Sequence, residues 1–213
     1  MAIFAILGTE SHGDFRNIIF SNCVVTNTNR GISIVVRDGA TVENVYFTDL
    51  IIHCNRKHFN WWGDGDPIRF ILLKRNAASR LGRIRHVYVR NVQASGEGTS
   101  LIKGYEGRPL ENIVLENVRL EINTESLPDK RASDILQLQQ LQDASLRNVQ
   151  LVWNEANGRE PRWAWALHAR QVSGLRLTDV EVGGRGGKQR PIRLDSCSRI
   201  FSSSKPLSSL IDQ

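Results

Sequence analysis

The sequence is poor in cysteine, and its three copies, Cys23, Cys54 and Cys197, cannot all pair with one another. Their spacing fits no zinc motif, and the histidines show no metal-ligand spacing, so we expect no metal and no other cofactor. No apolar run approaches the ~20 residues that cross a bilayer, so we expect no membrane-spanning helix.

Signals for export are also missing. The apolar segment Met1–Leu7 has neither the basic region nor the small-residue cleavage site of a signal peptide, and we expect a β-strand there. The chain as it stands favours the cytoplasm, but these residues leave its location undetermined.

Clusters of charge of one sign are absent as well. There are 28 basic residues against 22 acidic ones, a net charge of +6, and the basic residues are scattered over the whole length. A nucleic-acid surface gathers its basic residues in one arm, stripe or helix, so nucleic acid is not the expected partner. A scattered basic excess suits an acidic polysaccharide, and a simply solvated exterior is the other interpretation.

What the sequence does contain is a repeat. A polar residue precedes alternating apolar positions, a second Asn or Asp, and further apolar positions. The copies are Asn17–Val25, Asn44–Ile52, His86–Ala94 and Asn112–Leu120, with looser ones at Ala144–Val152 and Ser173–Val182. Alternation with a period of two on both sides of the second polar residue indicates strands rather than helices.

The second polar position forms the clearest column. Its members are Asn22, Asp49, Asn91, Asn117, Asn148 and Asp179, at intervals of 27, 42, 26, 31 and 31 residues. Asn and Asp tolerate a left-handed backbone and bond their neighbours, so the column predicts stacked corners. The leucine-rich frame is absent, and helical periodicity is weak and confined to Asp134–Leu141.

The predicted fold is therefore all-β, a parallel β-helix of about six to seven coils over residues 1–200, with a tail over residues 201–213. Each coil needs one further strand. The candidates are Gly31–Val36, Ile68–Leu73, Ser100–Lys103, Ile135–Leu138, Trp163–His168 and Pro191–Leu194. These strands are expected to stack into one sheet with a long outward surface.

Part of the chain looks like a known family. The stretch Gly8–Asn44, with its run NRGISIVVRDG, and the segments VENVYFTDLII and WWGDGDPI resemble the C-terminal half of the polygalacturonase family of pectin-hydrolysing glycoside hydrolases. The likeness covers Gly8 to Leu73, and beyond it only the rhythm of the coils matches. It implies a right-handed, pectin-lyase-like β-helix and an acidic carbohydrate ligand.

The resemblance also implies what is missing. Family members invert the sugar with carboxylates in Asn-Thr-Asp and Asp-Asp motifs, assisted by Gly-His-Gly and Arg-Ile-Lys. The aspartate motifs belong before Gly8 and the Gly-His-Gly turn before Ile3, while Arg-Ile-Lys aligns with Ser33, Ile34 and Val35. Inversion needs an acid and a base about 6.5–9.5 Å apart. The resemblance thus implies a truncated β-helix, lacking N-terminal coils, that is not catalytic alone.

The longest interval contains an insertion, Arg56–Pro67. Its Trp61 and Trp62 offer indole faces for sugar stacking, and Asp64 and Asp66 offer acceptors for hydroxyls or a candidate acid and base pair. In the structural alternative, a tryptophan packs on the solenoid wall and each Asp fixes a turn beside Gly.

Two further sets of residues are candidates. Arg69 is predicted to take the outward position of Ser33 one coil later, and Lys103 to extend that row, so that both bind an acidic sugar or lie on a solvated face. Trp163 and Trp165 are predicted to share a face beside His168, as a stacking platform, an oligomer contact or packing against the tail.

Three functions are compatible with these features. The leading one is a carbohydrate-binding β-helix, and one alternative is an active glycoside hydrolase on acidic or plant polysaccharide. The other is an assembly module, because the first coil has no polar cap. An uncapped coil predicts self-association, most simply as a two-fold dimer.

Overall fold

The computed structural model describes residues 6–57, 63–158, 160–184, 192–203 and 211–212, and every regular element in these ranges is a β-strand. The strands are β1 (Ile6–Gly8), β2 (Phe15–Thr28), β3 (Arg30–Val36), β4 (Thr41–Cys54), β5 (Asp66–Leu72), β6 (Arg83–Gly96), β7 (Ser100–Lys103), β8 (Leu110–Asn123), β9 (Asp134–Asn154), β10 (Trp165–Gly184), β11 (Ile192–Asp195), β12 (Phe201–Ser202) and β13 (Ile211–Asp212). Within the same ranges, no helix has the length and apolar character needed to cross a membrane.

The strands wind into a parallel β-helix, as predicted. Sheet 1 contains β1, β3, β5, β7, the first parts of β9 and β10, and β11, all paired in parallel. The strands β2, β4, β6 and β8, with the remainders of β9 and β10, bend at two corners into three stretches that form sheets 2, 3 and 4. In the segment predicted to be a tail, β12 pairs with β10 and β13 with β11.

The corner between sheets 3 and 4 is the predicted polar column. Asn22, Asp49, Asn91, Asn117, Asn148 and Asp179 all have φ between 50° and 56°. The Nδ2 of Asn91 donates to Asp49 Oδ1 (3.0 Å), that of Asn117 to Asn91 Oδ1 (3.0 Å), and that of Asn148 to Asn117 Oδ1 (2.9 Å). Each amide therefore bonds the corner of the preceding coil, which stabilises a backbone conformation that most residues avoid.

The corner between sheets 2 and 3 follows the same plan with a less uniform composition. Its left-handed residues are Asn17, Asn44, His86, Asn112, Asp143, Gly174 and Arg199. Asn44 donates to Asn17 Oδ1 (3.1 Å), and Asn112 bonds His86 Nδ1 (2.9 Å). His86 is thus a structural member of the corner.

Inward side chains of the same register fill the interior. On sheet 3, Val45, Val87, Ile113, Ala144 and Leu175 are stacked and at most 2% exposed. The Phe47 ring stacks on Phe20 and Phe70, with centroids 5.2 and 5.7 Å apart. Each fully buried side chain of this size contributes about 1.5–3 kcal/mol, so the stacked columns hold the coils together.

The connections from sheet 4 to sheet 1 differ from coil to coil. One residue, Asn29, joins β2 to β3, whereas residues 55–65, 97–99 and 124–133 join the next three pairs. The interval of 42 residues between Asp49 and Asn91 includes the predicted insertion and also a second long connection. Residues 73–82 form this connection from β5 to β6, which we did not predict from the sequence. The uneven loops line one edge of sheet 1, where the candidate residues lie.

Candidate functional site

The outer face of sheet 1 brings several of the predicted site residues together. Side chains alternate between the two faces of a strand, and Ile32, Ile34, Ile68 and Phe70 point into the core. One outward row in register is therefore Ser33, Arg69, Leu101, Gln137, His168 and Arg193. The adjacent row is Val35, Ile71, Lys103, Gln139, Arg170 and Asp195. We call these two rows the sheet 1 face.

Arg69 and Lys103 share this face but not a row. Arg69 pairs with Ser33, as predicted. The next position in its row is Leu101, and Lys103 pairs with Ile71 instead, so the expectation that Lys103 extends the row of Arg69 is wrong. Because the two positions differ by two residues, both side chains still point outward.

A cavity of about 160 Å³ lies at the edge of the sheet 1 face nearest the loops. We call it the loop-side cavity. Its lining residues are Asp64, Arg69, Gly98, Thr99, Leu101, Arg131, Ala132, Ser133 and Gln137. The sequence singles out Asp64 and Arg69, and the fold adds Arg131 and Gln137 from coils further along the chain.

A buried ion pair holds the loops that wall this cavity. The Arg56 side chain donates to Glu125 Oε2 (2.8 Å) and Asp129 Oδ2 (2.5 Å). Glu125, 2% exposed, accepts the backbone N–H groups of Arg131 (2.6 Å) and Ala132 (2.8 Å). The hydrogen bond from Arg56 lowers the pKa of Asp129, which favours the charged form that this anchor needs.

Asp64 is accessible but already paired. Its side chain is 39% exposed, and its Oδ1 accepts a hydrogen bond from Arg131 Nη1 at 2.9 Å. Arg131 also donates to Asp129 Oδ2 at 2.8 Å. Asp64 thus lines the loop-side cavity as half of an ion pair.

Asp66 is not accessible. Its side chain is 0% exposed, with Oδ2 2.9 Å from Arg30 Nε and Oδ1 accepting the backbone N–H of Asp64 at 2.8 Å. Burial raises the pKa of Asp66, and Arg30 acts in the opposite direction. The carboxylate anchors the start of β5, which matches the structural alternative for this residue. Trp61 and Trp62 lie outside the described residues.

A second cavity, of about 440 Å³, lies where the strands of sheet 1 end. We call it the corner-side cavity. Its lining residues are Leu72, Leu73, Lys103, Gly104, Tyr105, Glu106, Gln139, Gln140, Arg170 and Gln171. Lys103 and Arg170 are both exposed, and neither forms an ion pair with another described residue. They stand in one row with Gln139 between them.

Two glutamines that line this cavity were not predicted from the sequence. Gln140 and Gln171 lie opposite each other at the corner between sheets 1 and 2, and their φ angles are 55° and 54°. The signal was present, because they are 31 residues apart, as are Asn117, Asn148 and Asp179. Gln139 Nε2 in turn donates to Gln137 Oε1 at 3.1 Å, so neutral amides cross the whole face.

The far end of the face carries a compact charged cluster. His168 Nε2 is 2.7 Å from Asp195 Oδ2, Arg193 Nε is 3.0 Å from Asp195 Oδ1, and the Arg193 guanidinium lies 5.3 Å from the Trp165 ring centroid. Hydrogen bonds from His168 and then Arg193 lower the pKa of Asp195. Trp163 does not share this face. It is 2% exposed and packs on Trp153 with ring centroids 4.7 Å apart, so the expectation of a two-tryptophan platform is wrong.

The face can therefore offer cations, amides and one half-buried tryptophan, Trp165, to a ligand. Among the described residues, no group of His, Cys, Asp and Glu is arranged to hold a metal ion. Asp195 on the face and Asp64 in the loop-side cavity are paired with basic side chains, whereas Lys103 and Arg170 pair with no acidic group among the described residues. Comparison of the chain with protein-family models, with curated proteins and with solved structures finds no match.

Proposed function

We propose that the sheet 1 face binds an oligosaccharide that carries acidic groups, and that the chain does not cleave it. The charge pairing of the face carries the proposal. Lys103 and Arg170 lack acidic partners among the described residues, whereas Asp64 is held by Arg131, and Asp195 by His168 and Arg193. An acidic ligand supplies the missing negative charge through charge-assisted hydrogen bonds.

The neutral groups favour a sugar over a bare anion. Gln140 and Gln171 each offer a donor and an acceptor, the combination that ring hydroxyls require, whereas the side chains of Gln137 and Gln139 already bond each other. Both cavities are open to the same face, so one extended ligand can contact them together. The likeness of Gly8–Leu73 to pectin-hydrolysing enzymes points to the same ligand class and to descent from a polygalacturonase-like β-helix.

The state of the two aspartates supports binding without cleavage. An inverting glycosidase needs two accessible carboxyl groups about 6.5–9.5 Å apart. Asp66 is 0% exposed and bound to Arg30. It therefore cannot serve as the second accessible carboxylate beside Asp64. The alternative, an active hydrolase completed by a partner chain, predicts that pectin releases reducing ends and that Asp64→Asn abolishes the release.

Calorimetric titration with a galacturonate hexamer, and with a neutral galactose hexamer as the matched ligand, tests the binding. We expect the acidic hexamer to bind at least about tenfold more tightly at low salt, and the difference to shrink as salt screens the charges. No heat with either hexamer would refute the proposal. Equal affinity for both would refute its acidic part.

Matched variants locate the site. Lys103→Gln combined with Arg170→Gln removes the two unpaired cations, and we expect at least about a tenfold loss of affinity for the acidic hexamer. Arg147→Gln is the control, because Arg147 lies on the outer face of sheet 3, where it pairs with Glu116. A similar loss in the control would mean that overall charge, rather than this face, attracts the ligand.

A further inference from the structure

The first coil of the solenoid presents an open strand edge. β2 pairs along its length with β4, and no other described strand lies on its opposite side. A strand of 14 residues therefore has backbone N–H and C=O groups on one side that no described strand satisfies. Such an edge is a template for pairing with another chain.

The core beneath this edge is also incompletely covered. Five inward residues of β4 are at most 1% exposed, namely Val42, Val45, Phe47, Leu50 and Ile52. Four of their register partners in β2 are only partly buried, namely Phe15, Ile18, Phe20 and Cys23, and the fifth, Val25, is 3% exposed. Residues at equivalent positions of the two coils thus differ in exposure, and of the two strands only β4 has a described strand on both sides.

Apolar side chains continue from the edge onto the outer surface. Ile19 is 67% exposed, Val24 is 69% exposed, and Ile51, the register partner of Val24, is 44% exposed. These are three of the five large hydrophobic residues that are exposed in the described part of the chain. Their clustering at one end marks an interaction surface rather than scattered exposure.

The composition of β2 suits a second copy of the same strand. The range Phe15–Thr28 contains one charged residue, Arg16, which pairs with Asp14 and Glu43, and it contains no Lys or Pro. Charge and proline are the usual devices that block edge pairing.

We propose that the open edge of β2, with Ile19, Val24 and Ile51 beside it, docks against the same surface of a second copy. A surface that meets itself produces a two-fold dimer, which closes and leaves no free copy of the edge. The two strands then run antiparallel, and the two solenoids meet end to end. The sheet 1 face is not part of this contact, so the dimer and the carbohydrate site stand or fall separately.

Light scattering after size-exclusion chromatography of the full chain tests the dimer. We expect the mass of two chains, falling to one chain on dilution. The variant Ile19→Lys/Val24→Lys places like charges across the joint, and we expect the mass of one chain at every concentration. Ile200→Lys is the control, since Ile200 is 39% exposed at the other end of the solenoid, and we expect it to remain a dimer.

Hydrogen exchange gives a readout that needs no variant. We expect the β2 amides of the unmodified chain to exchange more slowly as concentration rises, with the amides of β8 unchanged. A single-chain mass throughout would overturn the proposal, and so would a dimer that survives both lysines with a native circular-dichroism spectrum. An open series of larger masses would overturn the closed two-fold arrangement.

Discussion

Polar side chains stack along the solenoid in two places, and the two stacks differ in how many of their side chains have a hydrogen-bond or ion-pair partner within the stack. At the corner between sheets 3 and 4, Asn91, Asn117 and Asn148 bond one another through their amides at 2.9–3.0 Å. On the sheet 1 face the stacked residues change from rung to rung, and Lys103 and Arg170 have no acidic partner among the described residues.

The asparagine corner and the sheet 1 face therefore use the same stacking of side chains differently, the corner for structure and the face, as we propose, for binding. Both stacks have the spacing of paired strands, about 4.8 Å, at which like amides bond each other. A repeated asparagine is what the corner requires, whereas no single residue type is required by the sheet 1 face. Under the proposed function, the side chains that form no bond along the stack are the ones available to a ligand.

The largest test compares the two aspartates at the start of β5. Asp66→Ala leaves the buried Arg30 without its partner, and we expect a loss of about 3–5 kcal/mol of unfolding free energy. Asp64→Ala breaks a pair whose side chains are 39% and 53% exposed. We expect that loss to stay below about 1 kcal/mol. Urea unfolding followed by tryptophan fluorescence measures both.

Equal losses in the two variants would contradict the division between them. A small loss in Asp66→Ala would mean that Asp66 is not an anchor, and its role in ligand binding would then return to consideration. A large loss in Asp64→Ala would make the Arg131 pair part of the scaffold instead of the cavity lining.

The second test compares an asparagine corner with the glutamine corner. Asn117 and Gln171 both have φ of 54°, so alanine meets a left-handed backbone at either site. Asn117 also donates to Asn91 and accepts from Asn148, whereas Gln171 has no side-chain hydrogen bond with a described residue. We expect Asn117→Ala to cost about 1–3 kcal/mol more than Gln171→Ala in urea unfolding.

Asn117→Gly provides the control for this pair. Glycine accepts the left-handed backbone, so the variant loses the two hydrogen bonds without the steric cost. We expect its stability to lie between those of the unmodified chain and Asn117→Ala. If Gln171→Ala is as harmful as Asn117→Ala, the glutamine corner is a structural ladder too and its side chains are not reserved for a ligand.

The corners were predictable from sequence because one residue type meets two physical demands there. Asn22, Asn91, Asn117 and Asn148 tolerate φ near 55° and can bond a copy of themselves one coil away. The alternating residues on either side fix the strands. Such local demands leave a pattern that can be read without knowledge of any distant contact.

The site was less predictable because it depends on register and on distant partners. Loops of different length precede the strands of sheet 1, so the row of Lys103 does not follow from spacing. Asp66 resembles a loop carboxylate within WWGDGDP, but Arg30, 36 residues earlier, buries and binds it. Arg131 comes from yet another coil, 67 residues after Asp64.

The smallest expected effect concerns Asp49, which in the described part of the chain is the one carboxylate that accepts a hydrogen bond from a neighbouring corner asparagine. Hydrogen bonds from Asn91 and then Thr48 lower the pKa of Asp49 below its ordinary value of 3.8. Its charged form therefore stabilises the fold above that value, and the stabilisation is lost as pH falls through the lower, folded pKa. The corner thus contains one acid-sensitive rung.

Asp49→Asn should give this corner an unbroken run of asparagines from Asn22 to Asn148. The Oδ1 of the new asparagine still accepts from Asn91, and its Nδ2 can donate to Asn22. Asn91, Asn117 and Asn148 donate to the preceding coil in the same way. Near neutral pH we expect little change in melting temperature. Below pH 3.8, the ordinary pKa of an aspartate, we expect Asp49→Asn to melt at a higher temperature than the unmodified chain. Asp179→Asn is the control, because no described corner asparagine donates to Asp179. If the melting temperatures of Asp49→Asn and of the unmodified chain fall equally at acidic pH, the charge of Asp49 does not stabilise the corner.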